Sequence, residues 1–455
     1  MCESNDMYIK RIEFSNLRCF KTGEMELVYP GSQAATDSFT LENVNVILGV
    51  NGSGKTTALK AIALSLVVHV GFQSGFRPYS LVRRDIQGYA EKAEATAKVK
   101  LSTRDRFEGS DTRQSTFTLM AELERIKDQD VLRYLPVLDT DIDQKKLIDE
   151  LYSDDSPSFF MVAYGATRRT ESGEFDPGSR SKSRNARYAR VAGLFEDHLT
   201  LVPLQSWLPK AERNETRFAE VIELIADLLP EGLEFRGEQE RDEYVFHHHG
   251  ITVAFAALSD GYRAYIGWIT DLISHLVTVC PSETGLRDLE GVVLVDEIDL
   301  HVHPTWQREI VAQISRALQR LQFVFTTHSP IVAGSVSSAN LFIVAQPNDR
   351  DSAIISRPSS EVYGLSADQI LTSSMFGLNS TRAPEFVKEL EHLESKATTG
   401  DADAAMALMR GLSRGAGASL EQTDEEPPAW VTAAAKKSSA ARSLKPSLKP
   451  SKKPR

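Results

Sequence analysis

Residues 44–68 contain the feature that most constrains this chain. An apolar run, Val44–Leu48, leads into Gly49-Val-Asn-Gly-Ser-Gly-Lys-Thr56, and an apolar helical pattern follows. The eight residues fit G-x-x-x-x-G-K-[ST] between a buried strand and a helix, the setting in which this pattern indicates a phosphate-binding loop. Backbone amides of the glycines and the helix N-terminus would surround phosphate oxygens. Lys55 would reach the β- and γ-phosphates, and Thr56 would offer a hydroxyl to Mg²⁺.

Two later strands are expected to end in polar residues. Val292–Val295 runs into Asp296 and Glu297, and Phe323–Phe325 runs into a polar turn that contains His328. In parallel sheets, ligands gather at the carboxyl ends of the strands. We therefore expect Asp296 to hold Mg²⁺, directly or through water, and Glu297 to polarise a water for attack on the γ-phosphate.

Strand and helix patterns alternate along most of the chain, which favours an α/β fold with a mostly parallel central sheet. Residues 7–30 alternate in polarity and predict an antiparallel β part at the N-terminus. We expect one head over residues 1–411, with a helical insertion at about 121–240 and a helical C-terminal cap at about 360–396. Residues 412–455 are rich in Ala, Ser, Lys and Pro and predict a disordered basic tail.

Composition fits a soluble cytoplasmic protein. Three cysteines are too few for a disulfide framework, no run of 18 apolar residues could span a membrane, and the N-terminus has no signal-peptide pattern. The net charge is -11, but the last 20 residues hold eight Lys/Arg and no acid, so residues 1–435 carry -19. This balance excludes bulk coating of nucleic acid. The tail, or an Arg-rich loop at 168–190, could still contact nucleic acid or an acidic partner, or be a solvated segment.

Leu258-Ser-Asp-Gly-Tyr-Arg263 opens a helical pattern, with Ser259 as a good N-cap and Gly261 permitting close approach of another molecule. The segment resembles the LSGGQ-type signature of ABC ATPases, in the form found in RecF- and OLD-like bacterial ATPases. This resemblance implies a P-loop ABC-ATPase head that works as a homodimer or higher homo-oligomer. Ser259 of one head would contact the γ-phosphate held by the other, and His328 matches the family's switch histidine.

The resemblance implies ATP and Mg²⁺ as cofactors and assigns the site residues. Residues expected to act in catalysis are Glu297, His328 and Lys55. Residues expected to bind nucleotide are Gly49, Asn51, Gly52, Ser53, Gly54, Lys55, Thr56, Thr57, Arg18, Ser259 and Gly261, and those expected to hold the metal are Thr56 and Asp296. Tyr164–Arg168 also looks like a family segment. The family's Q-loop glutamine stays open between Gln73 and Gln87.

Five histidines invite a second interpretation. His301 and His303 lie in a segment that resembles the family's D-loop at the dimer seam, with metal binding as the alternative. The run His247–His249 also suggests metal ligation, although no partner motif accompanies it.

Several features distinguish this chain from other members of the families that it resembles. No sustained heptads interrupt the head, so the long arms of Rad50 and SMC proteins are not expected. Asp401-Ala-Asp403 does not follow an apolar strand, so we expect no TOPRIM nuclease in the chain, and no motif supports a preference for GTP.

The segments Tyr363–Leu371 and Met375–Arg382 are similar to the ATPase subunit of Septu-type anti-phage systems and of related retrons. The similarity implies a separate nuclease partner, of the HNH type or, as second choice, TOPRIM. Two alternatives stay open: a RecF-like ATPase clamp that binds DNA in repair, and a nucleotide-gated scaffold with little turnover.

Overall fold

The computed structural model describes residues 8–32, 39–73, 76, 78, 80–100, 116–135, 160–169, 186–197, 199–241, 243–346 and 351–413. The described chain divides into two units, residues 1–379 and residues 380–455. The strands are β1 (Tyr8–Leu17), β2 (Phe20–Glu26), β3 (Val44–Leu48), β4 (Arg84–Asp85), β5 (Gly88–Tyr89), β6 (Lys92–Lys100), β7 (Thr116–Ile126), β8 (Gln129–Leu135), β9 (Met161–Tyr164), β10 (Leu233–Glu240), β11 (Glu243–His248), β12 (Ile251–Ala254), β13 (Gly291–Val295), β14 (Leu321–Thr327), β15 (Leu341–Ala345) and β16 (Ile354–Ser356).

The α-helices are α1 (Lys55–Gln73), α2 (Ala186–Val191), α3 (Leu204–Ala211), α4 (Glu215–Leu228), α5 (Asp260–Val279), α6 (Pro304–Gln307), α7 (Ile310–Ala317), α8 (Pro330–Gly334), α9 (Ala367–Leu371), α10 (Pro384–Thr398) and α11 (Ala402–Ser413). Short 3-10 helices cover Ala192–Leu194, Phe255–Ala257, Leu286–Asp288 and Ser338–Asn340.

The central sheet has six strands in the order β16-β15-β3-β14-β13-β9, and only the edge pair β15 and β16 is antiparallel. Every residue of β3, β13 and β14 is buried. Continuous burial explains why these strands appear as unbroken apolar runs, because a parallel sheet is covered on both faces. The expected α/β class with a mostly parallel sheet is confirmed.

The two faces of the central sheet belong to different cores. Val293, Val295 and Phe325 pack with α4, α5 and α7. Val292 and Leu294 pack on the opposite face with α1 and the N-terminal sheet. Because α1 is covered by the sheet on one side and by β6, β7 and β8 on the other, it is apolar around most of its circumference.

The N-terminal part is a five-stranded antiparallel sheet in the order β2-β1-β6-β7-β8, as the alternation of residues 7–30 predicted. A buried glutamine of β14 joins it to the central sheet. The side-chain amide of Gln322 accepts from Ile9 N at 2.8 Å and donates to Ile9 O at 2.9 Å. A buried amide satisfied in this way fixes how the two sheets meet.

The expected helical insertion at about 121–240 is wrong over its first part. Residues 121–135 belong to β7 and β8, which form a hairpin closed by Ile126 and Gln129. The high charge of this segment suggested a helix, but the burial of β7 alternates with period two, and Phe117, Leu119 and Leu123 face the core. Residues 136–159 lie outside the described residues. Helices α2, α3 and α4 do occupy most of 186–228, before β10 begins.

The expected boundary at 411 also differs from the structure. The division falls between Asn379 and Ser380, so the predicted cap at about 360–396 spans both units, with α9 in the first and α10 in the second. In the second unit α10 packs on α11, and a Cβ on Gly411 would lie 2.7 Å from Leu390 Cδ2. The predicted tail lies outside the described residues, apart from residues 412 and 413 at the end of α11. Among the described residues, no helix has the length and apolar character needed to cross a bilayer.

Candidate nucleotide site

The loop between β3 and α1 has the backbone of a phosphate cradle. Gly52 and Gly54 adopt φ of +80° and +117°, values that side chains rarely tolerate. A Cβ on Gly54 would also lie 2.5 Å from Cys19 Sγ and 2.7 Å from the Phe20 ring. Glycine is therefore required at position 54 both by its conformation and by the close approach of the β1–β2 turn.

Lys55 is folded over this loop. Its ammonium donates to Gly49 O at 2.8 Å and to Val50 O at 3.1 Å, and the residue is 5% exposed. Burial lowers the pKa of Lys55, while the nearby charges of Glu297 and Asp296 oppose that shift. A buried ammonium held only by carbonyl oxygens is a site where phosphate oxygens can compete for the same donors.

Asp296 lies at the carboxyl end of β13 and faces the first turn of α1. Its Oδ2 accepts from Thr56 Oγ1 at 2.8 Å, and its Oδ1 accepts from Thr326 Oγ1 at 2.5 Å. Oxygen atoms such as those of hydroxyl and carboxylate groups are the ligands that Mg²⁺ prefers. The oxygen atoms of Thr56 and Asp296 therefore fit the Mg²⁺ site that the sequence predicted for them.

Glu297 occupies an unusual backbone conformation, with φ of +51°. Its N–H donates to Thr326 Oγ1 at 2.7 Å, and its carbonyl accepts from Arg168 Nη2 at 2.7 Å and from Leu300 N at 3.1 Å. Its carboxylate makes no hydrogen bond to the described part of the chain, and the residue is half-buried. The peptide is held on both sides while the carboxylate is left for a ligand or water.

His328 follows β14 and pairs with a buried carboxylate. Its Nδ1 lies 3.2 Å from Asp299 Oδ2, and Thr327 Oγ1 donates to Asp299 Oδ1 at 2.5 Å. The Asp299 side chain is 3% exposed, whereas that of His328 is 44% exposed. Because Nδ1 lies against Asp299, the other imidazole nitrogen is the one left to bind a ligand.

The signature segment begins α5 as predicted, with Ser259 at the N-cap position. The Ser259 side chain makes no capping hydrogen bond, however, and the residue is exposed. A Cβ on Gly261 would collide with the carbonyl oxygen of His301. The absence of a side chain at 261 is therefore needed for packing within the same chain, whereas the sequence suggested approach of another molecule.

The remaining predicted nucleotide ligands surround the loop. Ser53 is buried, and its hydroxyl has no hydrogen-bond partner among the described residues. Asn51 is exposed and Thr57 is buried in α1. Arg18 has φ of +44° in the β1–β2 turn and donates to Ser80 O at 3.0 Å. Burial, and after it the charge of Arg18, lowers the pKa of Lys60 on α1.

Neither candidate for the Q-loop glutamine is brought to the site by a described contact. Gln87 is exposed in the turn between β4 and β5, where its N–H donates to Asp85 Oδ1 at 2.8 Å. Gln73 ends α1, and its side chain lies outside the described residues.

The histidines predicted as alternative metal ligands do not assemble into a metal centre. The described residues contain no group of three or more His, Cys, Asp or Glu able to hold a metal ion. His303 instead caps α6, and His247 lies 3.1 Å from Glu238 on the β10–β12 sheet.

Sequence reasoning gave no role to four residues that organise the site: Arg168, Asp299, Thr326 and Gln307. Arg168 ends the family-like segment Tyr164–Arg168, and Asp299 begins the segment that resembles the D-loop. Thr326 and Arg168 lie at or just after the carboxyl ends of β14 and β9, so the strand-end rule that found Asp296 would also have found them. Gln307 donates to Val302 O at 2.8 Å and accepts from Ser329 Oγ at 2.7 Å, joining the turns after β13 and β14. No sequence pattern indicated that link.

A parallel sheet with a glycine-rich lysine loop, an acidic strand end, a histidine turn and a Ser-Asp-Gly helix start defines an ABC-type P-loop ATPase. The chain belongs to the family described as "AAA domain, putative AbiEii toxin, Type IV TA system", whose model matches residues 44–333.

Several named relatives are similar to the chain. Septu protein PtuA of Bacillus mycoides (strain KBAB4) is 24% identical over 376 residues, which cover 82% of this chain and 45% of that protein. Retron Vc95 probable ATPase of Vibrio cholerae serotype O1 biovar El Tor is 32% identical over 32% of this chain and 29% of that protein. Retron Ec83 probable ATPase of Escherichia coli is 31% identical over 22% of this chain and 19% of that protein. The chain thus spans less than half the length of these relatives.

The solved structures that match the chain share little sequence with it. An SMC head bound to the C-winged helix domain of ScpA matches 77% of this chain and 98% of its own, with 15% identity and a TM-score of 0.45. The recombination mediator protein RecF bound to ATPrS matches 78% of this chain and 99% of its own, with 15% identity and a TM-score of 0.39.

Proposed function

We propose that this chain binds and hydrolyses ATP at the junction of the 49–56 loop with the ends of β13 and β14. The observation that carries this proposal is the network of Thr56, Asp296, Thr326 and Glu297. In it, Thr326 links Asp296, which would hold the metal with Thr56, to Glu297, whose carboxylate makes no hydrogen bond to the described part of the chain. Mg²⁺ would be held by Thr56 and Asp296 and would neutralise charge on the β- and γ-phosphates.

Each residue then has a task that its geometry permits. Lys55 exchanges the carbonyls of Gly49 and Val50 for phosphate oxygens. The Glu297 carboxylate orients a water and accepts its proton during attack on the γ-phosphate. His328, anchored by Asp299, contacts the γ-phosphate and thereby distinguishes ATP from ADP.

We infer that the working unit is a homodimer of heads, or a higher oligomer of them. Support comes from Ser259, which is exposed at a helix N-terminus with an uncommitted hydroxyl. In the proposed dimer, Ser259 of one head closes over the nucleotide of the other. ATP then favours the engaged state and hydrolysis releases it, so nucleotide state sets head spacing.

The biological setting that we propose is anti-phage defence in the cytoplasm, where this switch would control a separate nuclease subunit. Similarity to a Septu protein and to two retron probable ATPases supports this setting. An HNH nuclease is the first choice of partner and a TOPRIM nuclease the second, with nucleic acid as a further ligand.

Hydrolysis is tested with Glu297→Gln, which keeps the size of the side chain but cannot accept a proton. We expect phosphate release to fall by about 100-fold or more while ATP affinity stays within about twofold of wild type. Glu394→Gln on exposed α10 is the matched control and should behave like wild type. Equal turnover by wild type and Glu297→Gln would refute the assignment.

Assembly is tested by native mass spectrometry of the protein purified with the products of its neighbouring genes. We expect ATP, together with Glu297→Gln, to raise the fraction of dimer, and a nuclease subunit to remain bound. A monomer under all nucleotide conditions would refute the proposed head dimer. A dimer that binds no neighbouring product would refute the proposed partner alone.

A further inference from the structure

The turn that carries Glu297 is strained. Glu297 and His301 have φ of +51° and +64°, although neither is glycine. Such a conformation costs free energy, and a strained backbone persists only where its surroundings hold it in place. The contacts that hold this turn therefore also decide where the Glu297 carboxylate points.

On the N–H side the holding contact is Thr326, and on the carbonyl side it is Arg168 with Leu300. The guanidinium of Arg168 donates from Nη2 to Glu297 O at 2.7 Å. It also lies near the face of the Trp268 ring, 6.0 Å from the ring centre. Since a guanidinium is planar and rigid, a ring beside it and a carbonyl at its edge restrict its orientation.

The backbone around Arg168 is held by hydrogen bonds on both sides. It follows β9, which pairs in register with β13 so that Tyr164 lies opposite Val295, and Asp296 N donates to Tyr164 O at 2.9 Å. On the other side, Leu201 N donates to Arg169 O at 2.9 Å. The segment 165–169 is thus hydrogen-bonded at both ends. This restricts the position from which Arg168 contacts the Glu297 carbonyl.

The Arg168 side chain is buried and interacts with the charges of three acidic residues near the strand ends. Burial lowers its pKa to about 10, while Asp296, Asp299 and Glu297 oppose the shift, so the side chain stays charged at neutral pH. Its Nη1 is buried and has no hydrogen-bond partner among the described residues. A buried charged donor without a partner costs stability, so Nη1 is the atom of Arg168 that can bind a ligand or a water.

We propose that Arg168 is a positioning residue for hydrolysis: its guanidinium fixes the Glu297 peptide in the left-handed turn that aims the carboxylate at the attacking water. Arg168 then sets the rate of turnover and leaves ATP affinity unchanged. This inference rests on the proposed ATPase activity and on Glu297 as the residue that directs water.

The test compares Arg168→Ala and Arg168→Lys with wild type in steady-state turnover and in equilibrium binding of ATP. We expect kcat to fall by about tenfold or more in both variants, because a small misplacement of a reacting group is enough for such a loss. KM and the ATP dissociation constant should stay within about twofold of wild type. Arg169→Ala is the matched control, since no described contact involves the Arg169 side chain.

A second readout separates positioning from general support of the fold. Guanidinium chloride at low, non-denaturing concentration should restore part of the turnover of Arg168→Ala, because the free ion can occupy the vacated place beside the Glu297 carbonyl. It should not change Arg169→Ala or wild type. If Arg168→Ala does not fold, Arg168→Lys decides, since it retains the charge and the aliphatic stem but not the planar fork.

The outcomes are distinguishable. If the wild-type protein hydrolyses ATP and Arg168→Lys has the same kcat, the positioning role is overturned and the proposed function stays intact. A parallel loss of ATP binding and kcat, with no guanidinium rescue, also overturns it. Absence of turnover in wild type removes the proposed function and this inference together.

Discussion

Thr326 is the residue whose removal should test the site most severely. Its buried hydroxyl donates to Asp296 Oδ1 at 2.5 Å and accepts from Glu297 N at 2.7 Å. Thr326→Val preserves shape but removes both interactions. A hydrogen bond to a charged group is worth about 1.5–3 kcal/mol, and a buried N–H left without a partner costs about 1–3 kcal/mol. We expect the free energy of unfolding of the first unit to fall by about 3 kcal/mol.

The assay is urea unfolding of the nucleotide-free protein, followed by far-UV circular dichroism, beside steady-state ATP turnover. Turnover should fall together with stability, because Asp296 and Glu297 both lose a restraint. Thr326→Ser, which keeps the hydroxyl, is the control and should retain most of both quantities. A Thr326→Val protein within about 0.5 kcal/mol of wild type would refute the view that this hydroxyl organises the two carboxylates.

Two further predictions address the signature segment and a buried carboxylate. Gly261→Ala places a methyl group against the His301 carbonyl, so the start of α5 must shift; we expect weaker ATP-dependent dimerisation in native mass spectrometry with ATP binding retained, and an unchanged dimer would contradict this. Gly193→Ala, where a Cβ would lie an ordinary 3.6 Å from its neighbour, is the control. Burial would raise the pKa of Asp271, but the charge and hydrogen bond of His275, together with hydrogen bonds from Val202 N and Tyr164 Oη, outweigh burial and hold that pKa below its ordinary value. A carboxylate whose pKa is lowered by folding stabilises the fold at pH values above its pKa in the unfolded chain. Asp271→Asn should therefore lower the melting temperature at pH 7. The difference from wild type should narrow below about pH 4, where the carboxylate becomes protonated. An equal difference at both pH values would contradict the assignment.

Sequence patterns were sufficient where local chemistry and tertiary structure agree. The 49–56 loop needs glycine backbone angles, an ammonium and a hydroxyl at fixed spacing, and all of these can be read from residue types. The buried runs Val44–Leu48 and Gly291–Val295 also predicted parallel strands correctly, because burial on both faces leaves no polar alternation.

The errors arose where neighbours distant in the chain decide the outcome. Charge density at 121–135 favoured a helix, although Glu122 and Glu124 lie on the outer face of β7 and are paired with Lys92 and Arg133. Cross-strand pairing of this kind has no local signature. The role of Arg168 is a similar case. Its place after β9 follows from the strand-end rule, but its partner is a backbone carbonyl 129 residues away, and no side-chain pattern marks such a contact.

The turn from Glu297 to His301 connects the two halves of the proposed mechanism. At its start, Arg168 and Thr326 hold the Glu297 peptide beside the nucleotide of the same head. At its end, the His301 carbonyl lies against Gly261, in the signature segment that would close over the nucleotide of the partner head. The close approach at Gly261 leaves little room for the His301 carbonyl to move toward α5. In the proposed dimer, a change in the Glu297 turn on hydrolysis would therefore also move the start of α5, which carries Ser259.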